Sequence, residues 1–175
     1  VTNLKPWSLP LLAAALTASA CTPLPGADNV PPAAPEAETI AISVGPCFGF
    51  CPVYNVTIAP EGAVRFQGLR HTAVLGETRR EAGNGSYRAL AAELAPYRPA
   101  SGTSAAVECD TAISDTSIYT ITWSDPTGRQ TVATHHRGCR VDKGQRLDAI
   151  LDGVPAQLGI EGWARQVTRP GATRG

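Results

Sequence analysis

Cys47-Phe48-Gly49-Phe50-Cys51-Pro52-Val53-Tyr54 is the stretch on which the reading of the fold turns. Two cysteines four residues apart, aromatics around a central glycine and a proline behind them describe a stiff turn. On its C-terminal side Tyr54, Val56 and Ile58 alternate with other residues, the period of a half-buried strand. On its N-terminal side Ile40, Ile42 and Val44 alternate with Ala41 and Ser43 and stop at Gly45-Pro46, a second strand. The turn is therefore a junction between two strands.

Working outward toward the C-terminus, Val64 and Phe66 mark a strand over Ala63 to Gly68, and Pro60-Glu61-Gly62 supplies the turn that makes it a hairpin with the strand before. His71 to Gly76, with Thr72, Val74 and Gly76 on one side, predicts a third strand of a meander and leaves His71 on the surface. Ser86 is the expected N-cap of a helix whose stripe is Tyr87, Leu90, Ala91, Leu94 and Tyr97, ended by Pro96 and Pro99. Arg98 to Asp110 reads as a long loop. Tyr119, Ile121 and Trp123 alternate before Asp125-Pro126-Thr127-Gly128, and Val132 and Thr134 continue a second hairpin. Asp142 and Gln145 have the spacing of a capping box, opening a helix with Leu147, Ile150, Leu151 and Val154 that Pro155 bounds. Ile160 and Trp163 then dock a tail.

Helices segregated from hairpins predict a single α+β domain over residues 39–166, an antiparallel meander sheet with two helices packed on one face. The expected core is Ile40, Ile42, Tyr54, Val56, Ile58, Val64, Phe66, Leu90, Leu94, Tyr119, Ile121, Trp123, Leu147, Ile150, Leu151 and Trp163.

Residues 1–20 have the parts of a secretory signal: Lys5, the apolar run Leu9 to Leu16, and Ala18-Ser19-Ala20 before Cys21. The apolar run is too short to span a bilayer, which takes about 20 residues. A cysteine directly after the small residues predicts lipidation at Cys21, with Ala18 standing where the bacterial lipobox usually has Leu. Thr22, in place of Asp, favours the outer membrane by resemblance to the enteric sorting rule. The expected location is the cell envelope, with the protein exported and facing the periplasm. The expected partner is the membrane, through the N-terminal lipid. Residues 21–38 hold five prolines and no aromatic, a Pro/Ala-rich tether that reaches roughly 50 Å at about 3 Å per residue. Residues 167–175 are expected to be a disordered tail. The chain has 175 residues, a formal net charge of zero and scattered arginines, which argues against nucleic acid as a partner.

The motif Cys-Phe-Gly-x-Cys-Pro-x-Tyr, followed by a strand, a glycine turn and a strand, resembles a family of bacterial envelope domains known as domain of unknown function 6438. The resemblance spans about residues 39–163. It implies an architecture and an exported address and names no activity. This chain departs from the usual member in carrying Cys109 and Cys139. With Cys21 taken by lipid, four cysteines leave three connectivities open. The resemblance favours Cys47 with Cys51, because the family motif contains that pair by itself, and hence Cys109 with Cys139 as an added bridge. Both positions suit it: Gly49 lets the short turn bend, and Cys109 and Cys139 lie outside the two ends of one hairpin.

Four chemical readings compete with a structural role. Cys47-x-x-x-Cys51-Pro52 is similar to the Cys-x-x-x-Cys-Pro of thioredoxin-like copper-delivery proteins, with His135 or His136 as the distant ligand. Those proteins open a helix at the second cysteine to lower its pKa, whereas a strand follows here. Cys47, Cys51, Cys109, Cys139 and a histidine are enough donors for zinc, but export favours disulfides. Cys139, His135 or His136, and Asp142 have the residue types of a nucleophilic triad, yet proximity in sequence is not proximity in space. Asp110 and Asp115 flank Ser and Thr residues, which more often serve turns than acid and base chemistry. No phosphate loop, serine elbow or His-Glu zinc motif is present. The expectation is a non-catalytic binding or structural module without cofactor or metal, its protein or small-molecule ligand unnamed. The alternative is a periplasmic thiol-redox or copper protein using Cys47 and Cys51.

Overall fold

Alternation decides which side of each strand is buried, and one strand organises the others. The structure is a computed structural model that describes residues 38–167, together with Thr2. The signal segment, Cys21, the tether up to residue 37 and the tail from residue 168 lie outside the described residues. Strand β1 (Thr39–Val44) buries Ile40, Ile42 and Val44 and turns Thr39, Ala41 and Ser43 outward. It pairs antiparallel on one side with β2 (Val53–Ile58) and on the other with β6 (Ile118–Ser124). The first strand in the chain is thus the centre of the sheet.

From β2 the chain continues through β3 (Ala63–Arg70) to β4 (Gly76–Glu81), each antiparallel to the one before. From β6 it returns along β7 (Gln130–His136), and β5 (Ser104–Ala106) lies parallel to β7 at the far edge. The order is β4-β3-β2-β1-β6-β7-β5. The fold is α+β as the element order implies, but the sheet is mixed and is not a pure meander. Three strands of a meander, β2 to β4, lie on one side of β1 and the β6–β7 hairpin on the other, and the parallel strand β5 closes an edge.

Three local expectations are corrected. The third strand is not His71 to Gly76: β3 runs on to Arg70, His71 takes a left-handed turn with φ 59°, and β4 begins at Gly76. β4 reads Gly-Glu-Thr-Arg-Arg-Glu and, lying at an edge, has no buried face to impose apolar alternation. Arg79 and Arg80 accordingly sit in a strand, where Arg79 bonds Glu77 at 2.6 Å and Arg80 donates to the Gly159 carbonyl. The segment expected as a loop from Arg98 contains β5, whose Ser-Ala-Ala carries no apolar period.

Helix α1 (Asn84–Leu94) starts behind Gly83, so Ser86 is not its N-cap. Its hydroxyl instead donates to the Ala82 carbonyl at 3.0 Å. A 3₁₀ turn, Ala95–Tyr97, follows. Helix α2 (Asp142–Gln157) begins without a capping box, since Gln145 donates to the Arg140 carbonyl. It also passes through Pro155, which lies in its last turn, before α3 (Glu161–Ala164). The inward residues of the sheet, α1, α2 and α3 share one apolar cluster. Ile150 and Trp163, expected in the core, are only partly buried against it; the other expected core residues are buried. Glu38, assigned by sequence to the tether, is 3% exposed and belongs to the domain.

Candidate ligand-binding site

The cysteine turn sets the first wall of a cleft. Cys47 and Cys51 form a disulfide with Cα atoms 5.8 Å apart, across a bend in which Gly49 has φ 144°. Pro52 passes the chain into β2, where a bulge shifts the register between Val53 and Tyr54: Val53 faces Arg70 while Tyr54 faces Gly68. The bulge breaks the period of two, so Val53 and Tyr54 are both buried, and Leu69 is left half exposed opposite them. Tyr54 packs on Phe66 with ring centroids 5.3 Å apart.

Tyr54, Cys51, Pro52 and Val44 face Ser117, Tyr119 and Arg137 from the β6–β7 side, Leu151, Asp152 and Pro155 from α2, and Glu161, Ala164, Arg165 and Gln166 from α3 and its end. They enclose a cleft of about 350 Å³. At its floor Asp152 is held on both oxygens. Oδ1 accepts from the Tyr119 hydroxyl at 2.9 Å, and Oδ2 accepts from Arg137 Nη2 at 2.8 Å. Among the described residues the Tyr54 hydroxyl has no hydrogen-bond partner, although the residue is 6% exposed.

The electrostatics follow from this burial. Loss of water, helped by the negative charge of Asp152 and opposed by Arg137, pushes Tyr54 up to about 12. Burial, then the charge and hydrogen bond of Asp152, push Tyr119 up further. Arg137 is raised first by its hydrogen bond to Asp152. Both phenols therefore keep their protons near neutral pH and can donate hydrogen bonds there.

Behind the floor lies a second, closed layer. His135 is 1% exposed, stacks on Tyr119 with centroids 6.5 Å apart, and meets Asp148 at 2.8 Å through Nε2. Its Nδ1 is buried without a partner among the described residues. The other Asp148 oxygen accepts from the Gly138 backbone at 2.9 Å, fixing the loop after Arg137. Cys109 and Cys139 form the second disulfide, Cα atoms 5.7 Å apart, and Gly144 of α2 packs on it. A Cβ at Gly144 would stand 2.5 Å from Cys139 Sγ, so the first turn of α2 requires glycine there.

The residues singled out by sequence are distributed as follows. The four domain cysteines form two separate bonded pairs and not one tetrahedron. Among the described residues no three His, Cys, Asp or Glu side chains are grouped to hold a metal. His135 contacts Asp148 and not Asp142, and Cys139 is oxidised, so the imagined nucleophilic triad does not assemble. His136 points to Thr116 at 3.3 Å. Asp110 and Asp115 are exposed and apart from the cleft. Tyr119, Arg137 and Asp152 carry the cleft and were not legible as a site. Tyr54 alone had a signal, as the last residue of the cysteine motif.

Among curated proteins, none matches the chain in sequence. The family match covers residues 38–155. It takes in the buried Glu38, the cysteine turn, the sheet and the Tyr54, Tyr119, Arg137 and Asp152 floor, and leaves the α3 wall outside. On that span the chain belongs to the family described as Domain of unknown function (DUF6438).

Proposed function

We propose that the protein is a lipid-anchored component of the cell envelope whose domain is a non-catalytic binding module in the periplasm, with the Tyr54–Asp152 cleft as its binding site. The observation that carries this reading is convergence. Cys51, Pro52 and Tyr54 of the family motif meet Tyr119, Arg137 and Asp152, from distant parts of the chain, in one concave site with apolar walls and a few polar groups. Two disulfides fit an oxidising, exported compartment, and the segment ending in Cys21 fits lipid attachment. Several acyl chains would hold the protein on a membrane through high salt.

The test is capture from detergent-solubilised envelope, with wild type and Tyr54→Phe/Asp152→Asn as paired baits. A species retained by wild type and lost from the cleft variant supports the reading. Identical capture by both sinks it. In parallel, Cys21→Ala is expected to release the protein from the membrane fraction.

The second reading is a thiol-redox or copper protein built on Cys47 and Cys51. One observation favours it: Cys51 lines the cleft, where a bound thiol would meet a half-exposed cystine. Two low-pKa thiols counted in protein purified without reductant would support it, and none would remove it.

A further inference from the structure

We propose that the cleft takes a monocarboxylate carried on a small apolar body, a proposal that rests on the binding-module reading above. The hydrogen-bond inventory of the floor is uneven. Each Asp152 oxygen already accepts from a protein donor, Oδ1 from Tyr119 and Oδ2 from Arg137. The donors are not used up. Arg137 spends Nη2 on Asp152, and its side chain is 45% exposed, which leaves the rest of its five N–H donors for another acceptor. Tyr54 lines the cleft, and its hydroxyl has no protein partner among the described residues, which leaves it a donor for a ligand acceptor.

A carboxylate matches this pair better than a neutral carbonyl. It offers two oxygens, one for the phenol and one for the guanidinium, and charge assistance strengthens both bonds. The Arg137–Asp152 pair is neutral as a unit, so the bound anion meets the free face of the guanidinium without a bare carboxylate opposite. Arg165, at the cleft edge and without an ion pair among the described residues, adds attraction from solvent. Glu161 on the same edge repels a second negative charge, which selects one carboxylate over a dicarboxylate or a phosphate. Val44, Pro52, Leu151, Pro155 and Ala164 supply apolar wall, and about 350 Å³ holds a short aliphatic or single-ring body. Such a group is found both on free small acids and at the C-terminus of a peptide.

The experiment is titration of the oxidised full-length protein, followed by calorimetry and by the tyrosine ring signals in NMR. The probes are hexanoate, 3-phenylpropanoate, 3-phenylpropanamide, hexylamine, and acetyl-Ala-Ala-Phe as free acid and as amide. The expected result is saturable binding of an acid with shifts at Tyr54, and about tenfold or greater weakening for its matched amide, as loss of a charge-assisted bond implies. Tyr54→Phe, which keeps the ring, is expected to weaken the acid about fivefold to tenfold while far-UV circular dichroism stays unchanged. Tighter binding of the acidic tripeptide than of the free acids identifies a peptide terminus as the source; the reverse identifies a small acid. Equal binding of acid and amide, or tighter binding of hexylamine, overturns the carboxylate while leaving a binding cleft. Absence of any shift at Tyr54 with every probe also overturns the carboxylate, and the capture experiment then judges the binding module separately.

Discussion

The two ends of the sheet are built by different means. At the end where the chain enters, Glu38 pairs with Arg98 at 2.6 Å, the Arg98 guanidinium lies 5.6 Å from the Trp123 ring centroid, and the Tyr87 hydroxyl donates to the Glu38 carbonyl at 2.6 Å. The turns there are short, and Asp125 holds one of them by accepting from the backbone N–H groups of Thr127 and Arg129 at 2.9 and 3.0 Å. At the opposite end the loops are longer and bury less. Phe48 is 89% exposed, and Phe50, Leu75, Ile113 and Ile118 also face solvent. Both disulfides sit at that end, and so does the cleft. Where loops are kept open around a site they forgo apolar burial, and covalent links take over the work of positioning them.

The contrast is open to direct attack. The largest expected effect is Cys109→Ser, which opens a bridge spanning 30 residues and should cost roughly 3–4 kcal/mol by loop-closure entropy. Cys47→Ser opens a span of 4 and should cost less, about 2 kcal/mol. Urea melts under non-reducing conditions compare the two, and an equal or larger loss from Cys47→Ser would break the argument. Next, Glu38→Ala strands a mostly buried guanidinium and should destabilise by about 3 kcal/mol. Because this change lies at the entry end, the Tyr54 and Tyr119 ring signals of the folded protein should not move.

Gly144→Ala tests whether the second disulfide is a rigid wall. Helix propensity favours alanine by about 1 kcal/mol, but overpacking against the cystine costs about 1–3 kcal/mol, so a net loss near 1 kcal/mol is expected. The loss should shrink in reductant, where the Cys139 side chain is freed to move. The last effect is confined to alkaline pH. Tyr54 titrates near 10 when unfolded and at about 12 in the fold, so between those values the unfolded state sheds a proton that the folded state keeps. Stability therefore falls as pH rises from 10 toward 12, and Tyr54→Phe should make that limb shallower, Tyr119 supplying the rest, without altering it below pH 9.

Legibility in the sequence followed burial. β1, β2, β3, β6 and β7 each have one face on the core, and that face writes its period of two into the chain. β4 and β5 lie at the two edges with nearly every residue exposed, so neither Gly-Glu-Thr-Arg-Arg-Glu nor Ser-Ala-Ala bears a mark of pairing. The same logic hid most of the cleft. Tyr54 stood out because it follows a cysteine turn, but Tyr119 reads as one more inward residue of its strand. Arg137 and Asp152 are 15 residues apart and become partners only when α2 packs over the end of β7. Hydrogen bonds between side chains on different elements leave no periodic trace.

The central place of β1 has a mechanical consequence. Tension reaching residue 38 from the preceding segment would enter along a strand hydrogen-bonded on both sides, in register with β2 from Ile40 to Val44 and with β6 from Thr39 to Val44. Ladder bonds lie perpendicular to the strand, so a pull along β1 strains them together in shear, where an edge strand such as β4 would peel one bond at a time. Among the described residues the Glu38–Arg98 pair is the first contact such a pull meets, and the cleft lies beyond the far end of the strand. A domain built this way would bear such a pull without distorting the cleft.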